Sequence, residues 1–138
     1  MMGVDLGINN IVTTSTGLRI EGRTRQDFKK KRANVRASLQ SKGKQSTKKV
    51  LKKLSSYENR RIKHENHVLS KQLVEEAKRH KIGVMRFEQL KGISTKTRTW
   101  NKHLNRMVAG WSFYQLQQFV EYKAAASGIA IKYVNPAY

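Results

Sequence analysis

The chain has 138 residues and carries 29 Lys and Arg against 9 Asp and Glu, a formal charge of +20. There is no Cys, which excludes a disulfide framework, a thiolate zinc site and a cysteine nucleophile. No apolar run approaches the ~18 residues of a membrane span, and the amino terminus lacks a basic-then-apolar leader. A cytoplasmic protein is expected, facing a polyanion: nucleic acid before any membrane surface.

At 38% hydrophobic, with apolar residues gathered in segments, the chain can build one core. Met2 to Gly7 is short and apolar, interrupted by Asp5. Ile11 to Ser15 is β-branched, and Leu18 to Glu21 alternates apolar and charged. Asn9-Asn10 and Thr16-Gly17 are turn signals between these runs, so the spacing predicts an antiparallel meander of three strands. The first strand opens almost at residue 1, early for a central strand, and implies sequence upstream.

Residues 23–81 hold most of the positive charge and read as a basic helical insertion. Arg25 to Gln40 is expected as one helix, with Phe28, Val35 and Leu39 on one side. Lys42-Gly43-Lys44 marks a break. Beyond Ser46, Leu51, Leu54, Ile62, Leu69, Leu73 and Ala77 recur at helical spacing, which predicts one long amphipathic helix to about His80. The cations that would face phosphate are Lys29, Lys30, Lys31, Arg32, Lys48, Lys49, Lys52, Lys53, Arg60 and Arg61. A solvated charged face on an ordinary helix pair would explain the same residues.

Ile82 to Glu88 reads as a strand ending in a carboxylate. Lys91 to Arg106 is polar and basic and reads as a loop, with a helical start around Asn101. Trp111 to Ala126 is a helix, with Phe113, Leu116, Phe119, Val120 and Lys123 along one face, and Ile129 to Val134 is the last strand. The order β-β-β, helices, β, α, β is compatible with one mixed sheet.

Acids are scarce, so their placement is informative. Asp5 interrupts one apolar strand and Glu88 closes another; if these strands are neighbours, both carboxylates project to one spot. Their mutual repulsion is relieved by a divalent cation, and oxygen-only ligands suit Mg²⁺ or Mn²⁺ with a phosphate as co-ligand. The structural alternative is that Asp5 caps a turn and Glu88 pairs with a nearby cation. His64 and His67 lie three apart on the long helix but have no third ligand in register. Gly3 and Gly7 are followed by neither a Walker lysine nor the dinucleotide spacing. Trp100, in the basic loop, is a candidate for stacking on bases, Tyr114 a weaker one, whereas Trp111 and Phe113 are spaced for core packing.

Gly3-Val4-Asp5-Leu6-Gly7-Ile8, followed by Ile11-Val12-Thr13-Thr14, resembles the first nuclease motif of the OrfB (TnpB) family of insertion-sequence transposases, relatives of the type V CRISPR effectors. Phe87-Glu88-Gln89-Leu90-Lys91-Gly92-Ile93 resembles that family's second motif. His67-Val68-Leu69-Ser70, Trp111 to Leu116, Glu121 to Ala124 and Gly128-Ile129 are similar to the helices and strand around it. Val134-Asn135-Pro136-Ala137-Tyr138 looks like the lead into its zinc-binding segment. The resemblance implies a single, partial RuvC-like nuclease domain over 1–138, an α/β RNase H-like mixed sheet with its carboxyl-terminal part missing.

It further implies that Asp5 bridges two Mg²⁺ ions, that Glu88 holds one, and that the complete form hydrolyses DNA phosphodiesters, with DNA and guide RNA as partners. The family's four-cysteine zinc ribbon and third acidic motif have no counterpart here, so zinc is not expected and full activity is not expected either. Asp27 and Glu21 are poorly placed to substitute. The alternative reading is a non-catalytic basic nucleic-acid-binding module or a ribonucleoprotein component.

Overall fold

The computed structural model describes residues 1–7, 9–89 and 111–135. The expected loop over 91–106, with Trp100 and the helical start near Asn101, and residues 136–138 lie outside these. Three strands open the chain: β1 (Met2–Leu6), β2 (Asn10–Thr14) and β3 (Arg19–Glu21). β1 pairs antiparallel with β2, and β2 with β3, which is the expected meander. The β2–β3 turn closes at Gly17, whose φ of 103° suits a residue without a Cβ. Thr14 Oγ1 accepts the Leu18 amide at 3.0 Å and fixes the same turn.

Helix α1 (Arg23–Lys42) and helix α2 (Gln45–Arg79) follow. Gly43 separates them in the left-handed conformation, with its amide donating to Gln40 O, so the break falls where the glycine predicts it. At 35 residues α2 is about 52 Å long. Strand β4 (Val84–Glu88), helix α3 (Trp111–Ala126) and strand β5 (Ala130–Val134) complete the order.

Helices α2 and α3 end alike. Ile82 N donates to Ala77 O and Ile129 N to Ala124 O, each at 2.8 Å. The left-handed residue is Gly128 after α3 but Lys81 after α2, at φ 55°. A Cβ at that conformation is unfavourable, so Lys81→Gly is expected to stabilise the fold by about 0.5–1 kcal/mol, read as a raised urea midpoint.

The five strands form one sheet in the order β3-β2-β1-β4-β5, with β1–β4 and β4–β5 parallel. Met2, Val4, Val12, Met85 and Phe87 point to one face. Against them pack Leu69, Leu73, Val74 and Ala77 of α2 and Leu116, Val120 and Ala124 of α3. Leu73 is completely buried, worth about 2 kcal/mol of transfer free energy. The segment expected as a basic helical insertion is therefore joined to the core by the carboxyl-terminal half of α2.

Helix α1 packs on the outer half of α2 through Phe28, Leu54 and Ile62, all buried. Val35 does not join Phe28 as its spacing predicts, and stands 44% exposed. The seam is centred instead on Arg25, Arg32 and Arg36, about a quarter-turn away. Arg36 donates to Glu58 at 2.9 Å and to Ser55 at 3.0 Å across it.

Candidate metal centre and nucleic-acid interface

Strand alternation decides where Asp5 and Glu88 point. Val4 and Phe87 are register partners on the parallel strands β1 and β4, and both are buried. The next residue on each strand is Asp5 and Glu88, so both emerge on the opposite, open face, at one level, on strands ~4.8 Å apart. Both are exposed. Neither side chain makes a hydrogen bond or ion pair to another described residue, so neither a turn cap nor a cation partner accounts for them there.

The end of β4 is held from the core side. Gln117, on α3 and almost fully buried, donates Nε2 to Glu88 O at 2.8 Å, and Gln89 N donates to Val134 O at 2.9 Å. Gln117 escapes a sequence reading because its partner is a backbone carbonyl 29 positions away. Two neighbouring carboxylates at a fixed strand end are a donor set that fits a hard divalent cation retaining several waters and accepting phosphate oxygens. Among the described residues no third His, Cys, Asp or Glu joins them in a cluster.

The basic residues divide into two groups. Lys30, Lys31, Lys48, Lys49, Lys52, Lys53 and Arg60 are exposed on the outer surfaces of α1 and α2. Lys49, Lys52, Lys53, Ser56 and Arg60 line one shallow groove, and Arg60 shares a second with Asn59, Lys63 and Gln115. Lys63 is an addition to the expected set; it continues the i, i+3 ladder from Arg60.

The other cations turn into the α1–α2 seam. The Arg32 guanidinium lies 4.6 Å from the Tyr57 ring centre, and that of Arg61 4.1 Å from the Phe28 ring centre. Arg61 also approaches Glu65 at 3.5 Å. Lys29 is half-buried, and burial, followed by the nearby Arg25, lowers its pKa. Aromatic rings on the facing helix hold Arg32 and Arg61, and burial alone withdraws Lys29.

His67 is no metal ligand with His64. Its ring stacks on Phe119 at 3.9 Å between centres, and Lys123 Nζ lies 3.4 Å from its Nδ1. Burial, followed by the Lys123 charge, lowers the imidazole pKa, so the neutral ring is favoured. Lys123 also donates to His67 O at 2.8 Å and Ser70 Oγ at 2.6 Å, which locks α3 to α2. Phe113 packs against the core as its spacing predicts, and Tyr114 is 42% exposed.

A five-stranded mixed sheet in this order, with helices on its core face, defines an RNase H-like domain of the RuvC type. Two solved structures share it over nearly the whole chain. A Cas12f1–sgRNA–target DNA complex matches with a TM-score of 0.73 over 99% of this chain and 36% of that one, at 20% identity. A CRISPR-Cas12f ternary complex matches with a TM-score of 0.79 over 100% and 29%, again at 20% identity.

The chain belongs to the OrfB_IS605 family, described as "Probable transposase", which matches residues 1–94. It is 32% identical over 129 residues to the TnpB-like protein MJ0751 of Methanocaldococcus jannaschii, covering 94% of this chain and 46% of that protein. It is 28% identical over 154 aligned positions to the CRISPR-associated endodeoxyribonuclease Cas12f1 of Syntrophomonas palmitatica, covering 100% of this chain and 30% of that one. The chain thus spans less than half the length of these relatives. No described helix is long and apolar enough to cross a membrane.

Proposed function

We propose that residues 1–138 form a RuvC-like nuclease domain of a transposase, acting in the cytoplasm on DNA and guide RNA, with 23–81 as its basic helical insertion. Asp5 and Glu88 hold Mg²⁺ or Mn²⁺, and the exposed cations of α1 and α2 hold the nucleic-acid backbone. One observation carries this reading: the two carboxylates stand at one level on the open face of adjacent parallel strands, without partners among the described residues. The names of the relatives, an endodeoxyribonuclease and one complex with sgRNA and target DNA, support the choice of substrate.

A bound metal ion would polarise a phosphodiester and supply a hydroxide at neutral pH. The chain's own part is to hold the ion by Asp5 and Glu88 and to restrain the strand along the basic face. The test is Mn²⁺-dependent cleavage of labelled single-stranded DNA. Asp5→Ala and Glu88→Ala are each expected to lower it at least ~100-fold, since loss of a direct ligand exceeds loss of a ligand's supporting group.

A second reading, a non-catalytic nucleic-acid-binding module, is favoured by the lack of a third clustered ligand among the described residues. Tight, salt-sensitive binding with no cleavage by the unaltered chain would select it.

A further inference from the structure

The open face of the sheet carries a second row beside the carboxylates. Two positions back along each strand from Asp5 and Glu88 stand Gly3 and Arg86, which are register partners, and Arg86 is in turn opposite Lys132 on β5. On the other side Gly3 meets Ser15, whose Oγ accepts the Gly3 amide at 3.0 Å. The row therefore reads Ser15, Gly3, Arg86, Lys132: a hydroxyl, bare backbone and two cations. It lies ~6.6 Å along the strands from the carboxylates.

Arg86 and Lys132 are exposed, and neither pairs with a described acid, although Glu88 is on the same strand face as Arg86. Two cations so close to a cation site repel its ion unless an anion lies between them. Gly3 adds an independent observation. Its backbone is not in the left-handed region, and a Cβ would meet only Ser15 at 3.9 Å, so neither a turn nor crowding demands glycine. What glycine does there is leave the sheet uncovered, a trough open at the level of the backbone.

We propose that Arg86 and Lys132, with the trough over Gly3, seat a nucleic-acid phosphate next to the one held at Asp5 and Glu88. They are positioning residues, distinct from the helical cations, and set the path of the strand across the sheet. This rests on the metal reading of the two carboxylates.

The full chain serves for the test, with Arg86→Gln/Lys132→Gln and Gly3→Val as variants and oligothymidylate in Ca²⁺ as probe. The double variant is expected to reduce the log–log salt slope of binding by about 0.7, the value for one phosphate contact on a single strand. Without nucleic acid it should bind Mn²⁺ roughly 2- to 5-fold more tightly, because local repulsion is relieved. Gly3→Val should keep or raise the unfolding temperature, valine favouring a strand, while lowering oligonucleotide affinity several-fold.

An unchanged salt slope would overturn the pair as a phosphate seat, and an unmoved Mn²⁺ affinity would remove it from the neighbourhood of the carboxylates. Asp5→Asn separates the two readings. If it leaves Mn²⁺ binding intact, the metal centre fails, while the salt slope still judges the pair.

Discussion

Asn66→Ala is expected to lower stability by about 4 kcal/mol, a fall in unfolding temperature of roughly 10–20 °C by circular dichroism. Asn66 is fully buried on α2 and uses both ends of its amide. Oδ1 accepts from Arg25 Nη2 of α1 at 2.8 Å. Nδ2 donates to Ser112 O and Gln115 Oε1 of α3, each at 2.9 Å. Alanine strands two of the three partners away from water: Ser112 O, and a guanidinium that is itself only 5% exposed. Breaking a buried charged arrangement from one side is the costly direction.

Arg25 has little in reserve. Its Nε donates to Glu65 at 2.9 Å, and Nη1 has no partner among the described residues. Asn66→Asp should not rescue, since a carboxylate keeps the Arg25 contact but faces Ser112 O and Gln115 Oε1 with a second acceptor. Recovery by aspartate would show that the Arg25 contact alone supplies the stability.

Neutralising Lys48, Lys49, Lys52 and Lys53 to Gln is expected to weaken duplex DNA binding about 100-fold at low salt and to flatten the log–log salt slope by about 3–4. All four are exposed, and Gln is as good a helix former as Lys, so the unfolding temperature should hold or rise as like charges are removed. Arg32→Gln and Arg61→Gln supply the contrast. Their guanidiniums lie on Tyr57 and Phe28, so these changes should lower stability with little effect on the slope. The idea fails if the quadruple change leaves the slope intact, for the interface would then lie elsewhere.

Much of this architecture is legible along the chain. Periodicity marks α2 and α3, β-branching marks β2, and Gly43 marks the break, because each signal is local and its cause is local. The pairing of Asp5 with Glu88 is legible only as a condition, since it depends on β1 and β4 being parallel neighbours in one register. Composition names Lys29, Arg32 and Arg61 as free cations, yet their fate is decided by aromatic residues and burial on the facing helix. The Arg25–Asn66–Gln115 chain is not legible at all. Its members lie more than 40 positions apart, and asparagine inside a helix ordinarily signals nothing but a weak propensity. Lys81 defeats the expectation that a glycine ends a helix, since the hydrogen bond from Ile82 closes α2 without one.

Helix α2 is a single unbroken rod from Gln45 to Arg79, anchored in the core at one end and bearing Lys48, Lys49, Lys52 and Lys53 at the other. It is consequently a ruler. On the proposed reading, the separation between where the lysines grip a strand and where the sheet meets it is graduated in helical residues, about 1.5 Å apiece. Lengthening the rod by a whole turn would keep its faces in phase and move the grip outward by about 5 Å, roughly one and a half nucleotides of duplex rise.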